Sequence, residues 1–359
     1  MLKFARFMKL LHIVGARPQF IKAAMVSKAW AGRGSEFFIH TGQHYDDNMS
    51  RLFFDELNLK EPDVNLEIGS GPHAQQTAQM LSGIGDILGQ ENPDSVLIYG
   101  DTNSTLAGAV AAAKENIPLA HVEAGLRSYN RRMPEEINRV VSDHISDFLF
   151  CPTSQAIQNL EREGISHGVH LVGDVMADSL KFFSEEARKR SDVLDSLGLD
   201  PKTFALVTLH RSGNVDNKQK LTSILKELAQ IDFKLVFPVH PRTAKMAMEF
   251  GLDFPENIQV IEPVGYLDMI MLEENAECIL TDSGGIQKEA YLLGVRCITI
   301  RDETEWVETV KAGWNCLVGA ESGLIARRFN DFHPHLDRPY IFGDGHASDK
   351  IIEVLISST

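Results

Sequence analysis

Short runs of consecutive apolar residues recur along the chain. Each ends at a polar or glycine-rich turn, and a helical pattern follows. In the first half the runs lie at 10–14, 36–40, 95–99, 119–122 and 148–150, with helical patterns near 20–30 and 105–114. The series then restarts at 204–208, 234–237, 258–261, 278–280 and 297–300, with a helix expected from about Lys218. Strands that are apolar throughout, rather than alternating, are those covered on both faces. The pattern therefore predicts parallel sheets between layers of helix. A charged stretch without strand signal, 181–202, reads as the connection. The expectation is an α/β protein of two Rossmann-like, doubly wound domains, with an interdomain cleft at the strand carboxyl ends.

A length of 359 residues agrees with two domains rather than one core. With 43% hydrophobic and 24% charged residues, extended disorder is excluded. The 50 acidic residues outnumber 35 basic ones, and a net charge of −15 argues against a nucleic-acid partner. It does not argue against a small anion, which a few local cations or backbone N–H groups can hold. Cys151, Cys278, Cys297 and Cys316 form no CxxC pair, so reduced buried thiols are expected rather than a disulfide or zinc site. No HExxH or similar spacing appears, and no catalytic metal is expected. No apolar run reaches membrane-spanning length, and residues 1–7 lack a leader pattern and read as an extension outside the fold. The expected setting is cytoplasmic, without membrane partners.

Chemistry concentrates at the strand ends. In the loop from Gly15 to Lys22 (GARPQFIK), Gly15 permits a tight turn and Pro18 suits a helix start. The free N–H groups there, with Arg17 and Lys22, could hold an anion, or the segment could be an ordinary turn. It is not GxGxxG, so no nicotinamide cofactor is expected. Its counterpart runs from Thr281 to Glu289 (TDSGGIQKE). Ser283, Gly284 and Gly285 allow close approach of phosphate oxygens, and Glu289 could accept ribose hydroxyls; a capped helix start is the simpler alternative. Asp101 follows the strand at 95–99 and reads either as a helix cap or as a catalytic carboxylate. Glu123 ends the next strand. Glu135, Glu136 and Arg139 open another helix, where acidic residues are also favourable on electrostatic grounds alone. Carboxylates gathered in one cleft would raise one another's pKa values and supply proton-transfer groups. His210, at a strand end beside Arg211, is the leading histidine, and His240 is a second candidate.

The ordered set GARPQFIK, TGQHYDD, YGDTNSTLA, HVEAGLRS, MPEEINR, LHRSGN, TDSGGIQKEA and RDETEW resembles the non-hydrolysing UDP-N-acetylglucosamine 2-epimerase family over almost the whole chain. The resemblance implies a GT-B-like fold. Its domains would span 8–178, joined by a C-terminal helix at 347–359, and 179–346. It implies interconversion of UDP-N-acetylglucosamine and UDP-N-acetylmannosamine without a cofactor. UDP would be eliminated across C1–C2 to a 2-acetamidoglucal and then re-added. It implies Asp101, Glu123, Glu135 and His210 as catalytic. Arg17, Lys22, Arg139, Arg211, Met269, Ser283, Gly284, Gly285 and Glu289 would be substrate-binding. A homodimer is the implied assembly. Some relatives carry a second, regulatory UDP-sugar site; Gln43, His44 and Glu136 match parts of it, with His240 grouped alongside, but the arginine expected near position 69 is missing from the run 68–72. Thr304-Glu305-Trp306 stands where many relatives have a TERPE-like segment, and GARPQ stands for GTRPE. These departures resemble the subgroup acting on UDP-2,3-diacetamido-2,3-dideoxyglucuronate, which is the alternative substrate. A GT-B glycosyltransferase is the more distant alternative.

Overall fold

The computed structural model describes residues 8–43, 60–320, 323–335 and 337–358. The expected extension at 1–7 and His44 lie outside them. The chain divides into two compact units. One comprises residues up to Ser179 together with those from Ile341, and the other is Leu180–Tyr340.

The first unit runs β1 (Met8–Val14), α1 (Arg17–Trp30), β2 (Gly34–His40), β3 (Val64–Asn65), α2 (His73–Glu91), β4 (Ser95–Tyr99), α3 (Asn103–Lys114), β5 (Leu119–Val122), α4 (Pro134–Ile145), β6 (Phe148–Cys151), α5 (Ser154–Arg162), β7 (Val169–Leu171) and α6 (Val175–Arg190). Its seven strands lie in the order β3-β2-β1-β4-β5-β6-β7, and every pairing is parallel. The winding reverses between β1 and β4, whose register runs from Leu10 opposite Ser95 to Ile13 opposite Ile98. Ligand sites of open parallel sheets form outside the carboxyl ends at such a reversal.

The second unit follows with α7 (Val193–Leu197), β8 (Phe204–Thr208), α8 (Ser212–Val215), α9 (Lys218–Leu228), β9 (Lys234–Pro238), α10 (Pro241–Phe250), β10 (Ile258–Ile261), α11 (Tyr266–Asn275), β11 (Cys278–Thr281), α12 (Gly284–Leu293), β12 (Arg296–Thr299), α13 (Val307–Lys311), β13 (Asn315–Leu317) and α14 (Ile325–Asp331). Six parallel strands take the order β10-β9-β8-β11-β12-β13, so the reversal here lies between β8 and β11. Both faces of this sheet are apolar. Ala205 and Val207 enter one core, while their neighbours Phe204 and Leu206 enter the other. That two-sided burial is why the strands read as unbroken apolar runs.

The last helix, α15 (Ala347–Ser357), belongs to the first unit and packs on α1. The N–H groups of Ala347 and Ser348 at its start donate to the Asp178 carboxylate at 3.0 and 2.7 Å. The stretch 181–202 carries no strand and is helical over 181–190 and 193–197, and the chain passes from one unit to the other just before it, inside α6. The four cysteines are free thiols. Burial pushes those of Cys151 and Cys278 up to about 12, so they stay neutral and unreactive near neutral pH.

Candidate active site

In the first unit, three loops meet at the carboxyl ends of β1, β4 and β5. Gly15 lies against α3 so closely that a Cβ on it would stand 2.2 Å from both Ser104 Oγ and Thr41 Oγ1. Gln19 ties this turn to the next. Its Oε1 accepts the N–H groups of Gly15 and Ala16 at 2.8 and 3.0 Å, while its Nε2 donates to Tyr99 O at 2.6 Å and to Thr102 Oγ1 at 3.0 Å. Arg17 is the first residue of α1. Lys22, one turn further, is buried and donates to the Glu123 carboxylate.

Thr102, not Asp101, caps α3, through its side chain on the Thr105 N–H. Asp101 is left to accept from Arg139 Nη2 at 2.6 Å, while Asn138 Nδ2 donates to the Asp101 carbonyl at 2.9 Å. Removal from water raises the Asp101 carboxyl. The Arg139 charge opposes that rise, the Glu123 charge adds to it, and the Lys22 charge pulls it back. Asp101, Glu123, Lys22 and Arg139 thus form one electrostatic cluster. Glu135 does not join it. It sits half-buried in the first turn of α4, and its side chain makes no hydrogen bond or ion pair among the described residues. Its neighbour Glu136 is buried and anchors the preceding loop. It accepts the N–H groups of Ser128 and Tyr129, both at 2.8 Å, and Arg139 Nη1 at 2.8 Å. Burial alone would raise the Glu136 carboxyl, but these donors hold it below its usual value.

Glu123 has a left-handed backbone, φ 74°, uncommon for a residue with a side chain. The turn is held because the N–H groups of Glu123 and Ala124 both donate to Phe150 O at 3.1 Å. Behind it, the fully buried His121 places Nδ1 2.7 Å from Asp143 Oδ1 and Nε2 2.7 Å from the Gly100 carbonyl. Asp143 also receives the Gly125 N–H at 3.1 Å and Arg127 Nη1 at 2.6 Å. This His121–Asp143–Arg127 group spans the residues flanking both Asp101 and Glu123. Sequence reading missed it, although His121 and Arg127 lie within a quoted motif. Gln43 Oε1 receives the N–H of Ser104 at 3.0 Å and its hydroxyl at 2.6 Å.

In the second unit, Asp282 organises the site. It is wholly buried at the end of β11 and receives the N–H groups of His210 and Arg211, both at 3.1 Å, and Asn214 Nδ2 at 3.1 Å. The sequence places Asp282 in the TDSGG run without singling it out; its burial is what marks its role. His210 Nδ1 lies 3.4 Å from the same carboxylate, and its ring centroid is 5.8 Å from that of His240. Burial lowers the His210 pKa; Asp282 opposes this, and the charges of His240, Arg211 and Arg242 add to it. His240 itself caps α10, its Nδ1 accepting the Arg242 N–H at 3.2 Å.

Ser283 is the N-cap residue of α12, and Gly284 and Gly285 open the helix, with no acidic side chain in its first turn. A Cβ on Gly284 would stand 2.2 Å from Glu305 Oε1. Glu305 in turn lies 3.6 Å from Arg211 and 2.9 Å from Arg301. Thus a carboxylate of the chain itself, flanked by two arginines, rests at this helix start, where N–H dipoles favour negative charge. Glu289, nearly buried on α12, lies 3.4 Å from the Tyr266 hydroxyl, which donates to it. Met269, on α11, packs against the core beneath. Trp306, at the departure from the TERPE-like segment, is buried with Lys288 Nζ 4.3 Å above its ring.

Comparison with known proteins agrees with this geometry. A family model described as UDP-N-acetylglucosamine 2-epimerase matches residues 32–356. A UDP-N-acetylglucosamine 2-epimerase homolog of Methanococcus maripaludis is 52% identical over 354 residues, which cover 97% of this chain and 99% of the relative. The UDP-2,3-diacetamido-2,3-dideoxy-D-glucuronate 2-epimerase of Pseudomonas aeruginosa is 49% identical over 358 residues, again covering 97% and 99%. The crystal structure of Methanocaldococcus jannaschii UDP-GlcNAc 2-epimerase in complex with UDP-GlcNAc and UDP superposes with a TM-score of 0.86 at 45% identity, covering 98% of this chain and 100% of that one.

Proposed function

Because the chain belongs to the UDP-N-acetylglucosamine 2-epimerase family, we propose that it interconverts UDP-N-acetylglucosamine and UDP-N-acetylmannosamine by eliminating and re-adding UDP. The observation that carries this reading is the cluster of Asp101 and Glu123 with Lys22 and Arg139 at adjacent strand ends. The C2–H bond is weakly acidic, so proton removal must accompany departure of the diphosphate. A carboxylate held above its usual pKa beside a second carboxylate and two cations suits that task. Asp101 and Glu123 act as proton-transfer groups, and Lys22, Arg139 and Arg17 counter the negative charge; Glu135, outside that cluster at the start of α4, is the third carboxylate that the family resemblance implies. UDP is held by the second unit. The N–H groups of Ser283, Gly284 and Gly285 and the Arg211 side chain take the diphosphate, His210 assists its departure, and Glu289 takes ribose hydroxyls, with Met269 beneath. Of the candidates for binding a regulatory second UDP-sugar, Gln43 keeps that role in this proposal; Glu136 holds the 128–129 loop and His240 caps α10.

A second reading has a specific support: the 49% identical relative is named for UDP-2,3-diacetamido-2,3-dideoxy-D-glucuronate. One experiment separates the two. The enzyme is incubated in D₂O with each nucleotide sugar and followed by NMR. Inversion with deuterium at C2 is expected, and the sugar that turns over faster is the substrate. Recovered sugar without C2 exchange in either case would sink the epimerase reading. A cytoplasmic homodimer belongs to the same proposal, and light scattering on the purified protein checks the dimer. No described helix is long and apolar enough to cross a membrane.

A further inference from the structure

Glu273 lies in α11, outside every loop that carries the proposed chemistry. It is wholly shielded from solvent, and neither carboxyl oxygen has a hydrogen-bond partner among the described residues. A carboxylate in such a place, without a cation or donors, is far costlier than the neutral acid. Its helix neighbours Leu272 and Ala276 belong to the apolar core, which α12 enters through Ala290.

Tyr266 and Glu273 are seven residues apart, two helical turns, and so share one stripe of α11. That stripe faces α12, because the Tyr266 hydroxyl reaches 3.4 Å from Glu289 Oε1 there and the two helices pack together. Glu289 on α12 acts on Glu273, its negative charge adding to the effect of burial. The Cys297 thiol on β12 also neighbours Glu273; burial pushes that thiol up and so keeps it neutral. Two acids that act on each other in a dry site do not readily both ionise. Glu289 retains 8% exposure and Glu273 none, so the charge belongs on Glu289 and the proton on Glu273. The proton then needs an acceptor, and the charged group that acts on Glu273 is the Glu289 carboxylate on the packed helix.

We propose that Glu273 is a positioning residue for Glu289: as a neutral acid it donates its O–H to the Glu289 carboxylate and, with the Tyr266 hydroxyl, holds that carboxylate oriented for the ribose of a bound nucleotide. The proposal rests on the reading of Glu289 as the group that takes ribose hydroxyls. A merely structural Glu273 would be replaceable by an apolar residue of similar size at no cost to binding.

The test uses the full chain and two probes, UDP and inorganic pyrophosphate, measured by titration calorimetry. E289Q is expected to weaken UDP by about tenfold, the loss of one charged hydrogen bond, and to leave pyrophosphate unchanged. E273L is expected to do the same. E273Q keeps a donor and is expected to stay within about twofold of the unchanged protein for UDP. Infrared difference spectra between the unchanged protein and E273Q at pH 7 are expected to show the carbonyl stretch of a protonated carboxyl. UDP binding that survives E273L but not E289Q overturns the proposal and leaves the ribose reading standing. Survival in E289Q removes both. Should E273L fail to fold, the infrared band decides: an ionised-carboxylate signal lost in E273Q overturns the proposal.

Discussion

Arg139 serves two carboxylates at once, Asp101 at 2.6 Å and Glu136 at 2.8 Å. Its charge opposes the rise that burial and Glu123 impose on Asp101. Replacing it with a neutral residue therefore moves the Asp101 carboxyl further up. If Asp101 acts as a base, it works only when ionised, so activity is lost as pH falls through its raised pKa. In R139Q the acid limb of the kcat/KM profile is expected to shift to higher pH; a limb that stays in place or moves down would remove Asp101 from that role. D101N is expected to lower kcat by ~10²–10⁴-fold while retaining UDP binding, the usual scale for a lost proton-transfer group. Lys22, Asp101, Glu123 and His210 were legible because each follows a buried strand or the turn after it. Gln19 and Asp282 were not, since their meaning lies in contacts with residues 80 and 72 positions away. No local pattern announces such a contact.

At the scale of elements, the end of β5 depends on the buried group behind it. Asp143 is squeezed from water, which alone would raise it, but His121 and Arg127 hold it below its usual value. A carboxyl depressed in the folded state contributes stability above its unfolded pKa and loses it as pH falls through the folded one. D143N takes from the buried Arg127 one of its two carboxylates, Glu163 remaining at 2.8 Å, and removes the carboxylate beside His121, a loss that typically costs about 1–3 kcal/mol. Its melting temperature is expected to fall most at neutral pH, and the gap to the unchanged protein is expected to narrow in acid. A gap independent of pH would mean that Asp143 does not carry charge there. The strands of both central sheets were readable because two-sided burial leaves continuous apolar runs. The short edge strands β3, β7 and β13, of two to three residues, left no such run. The helix α2 escaped notice because glycines interrupt it, and its buried stripe of Gln76, Met80, Ile84 and Leu88 begins with a polar residue. Helix α3 starts two residues before its apolar pattern because Thr102 caps it, and α1 starts three residues before, where Pro18 lies in its first turn and Gln19 Oε1 accepts the Ala16 N–H.

At the scale of the whole molecule, the two units differ in how the chain builds them. The second is one continuous stretch, whereas the first takes in both the early part of the chain and residues from Ile341 onward. That returning segment buries Phe342, Ile351, Ile352 and Leu355 almost completely. At ~1.5–3 kcal/mol for each such side chain, their burial contributes about 6–12 kcal/mol, an upper estimate because unfolded chains are partly compact. An ordinary domain is stable by only about 5–15 kcal/mol. A chain ending at Tyr340 is therefore expected to lose the first unit and keep the second. Calorimetry would then record one remaining transition of reduced enthalpy. If the second unit holds the nucleotide as proposed, UDP raises the temperature of that remaining transition, because a ligand bound only to the folded state stabilises it by mass action. Retention of the full enthalpy would show that α15 is dispensable to the first unit. A remaining transition that UDP leaves unmoved would show that the second unit alone does not hold the nucleotide.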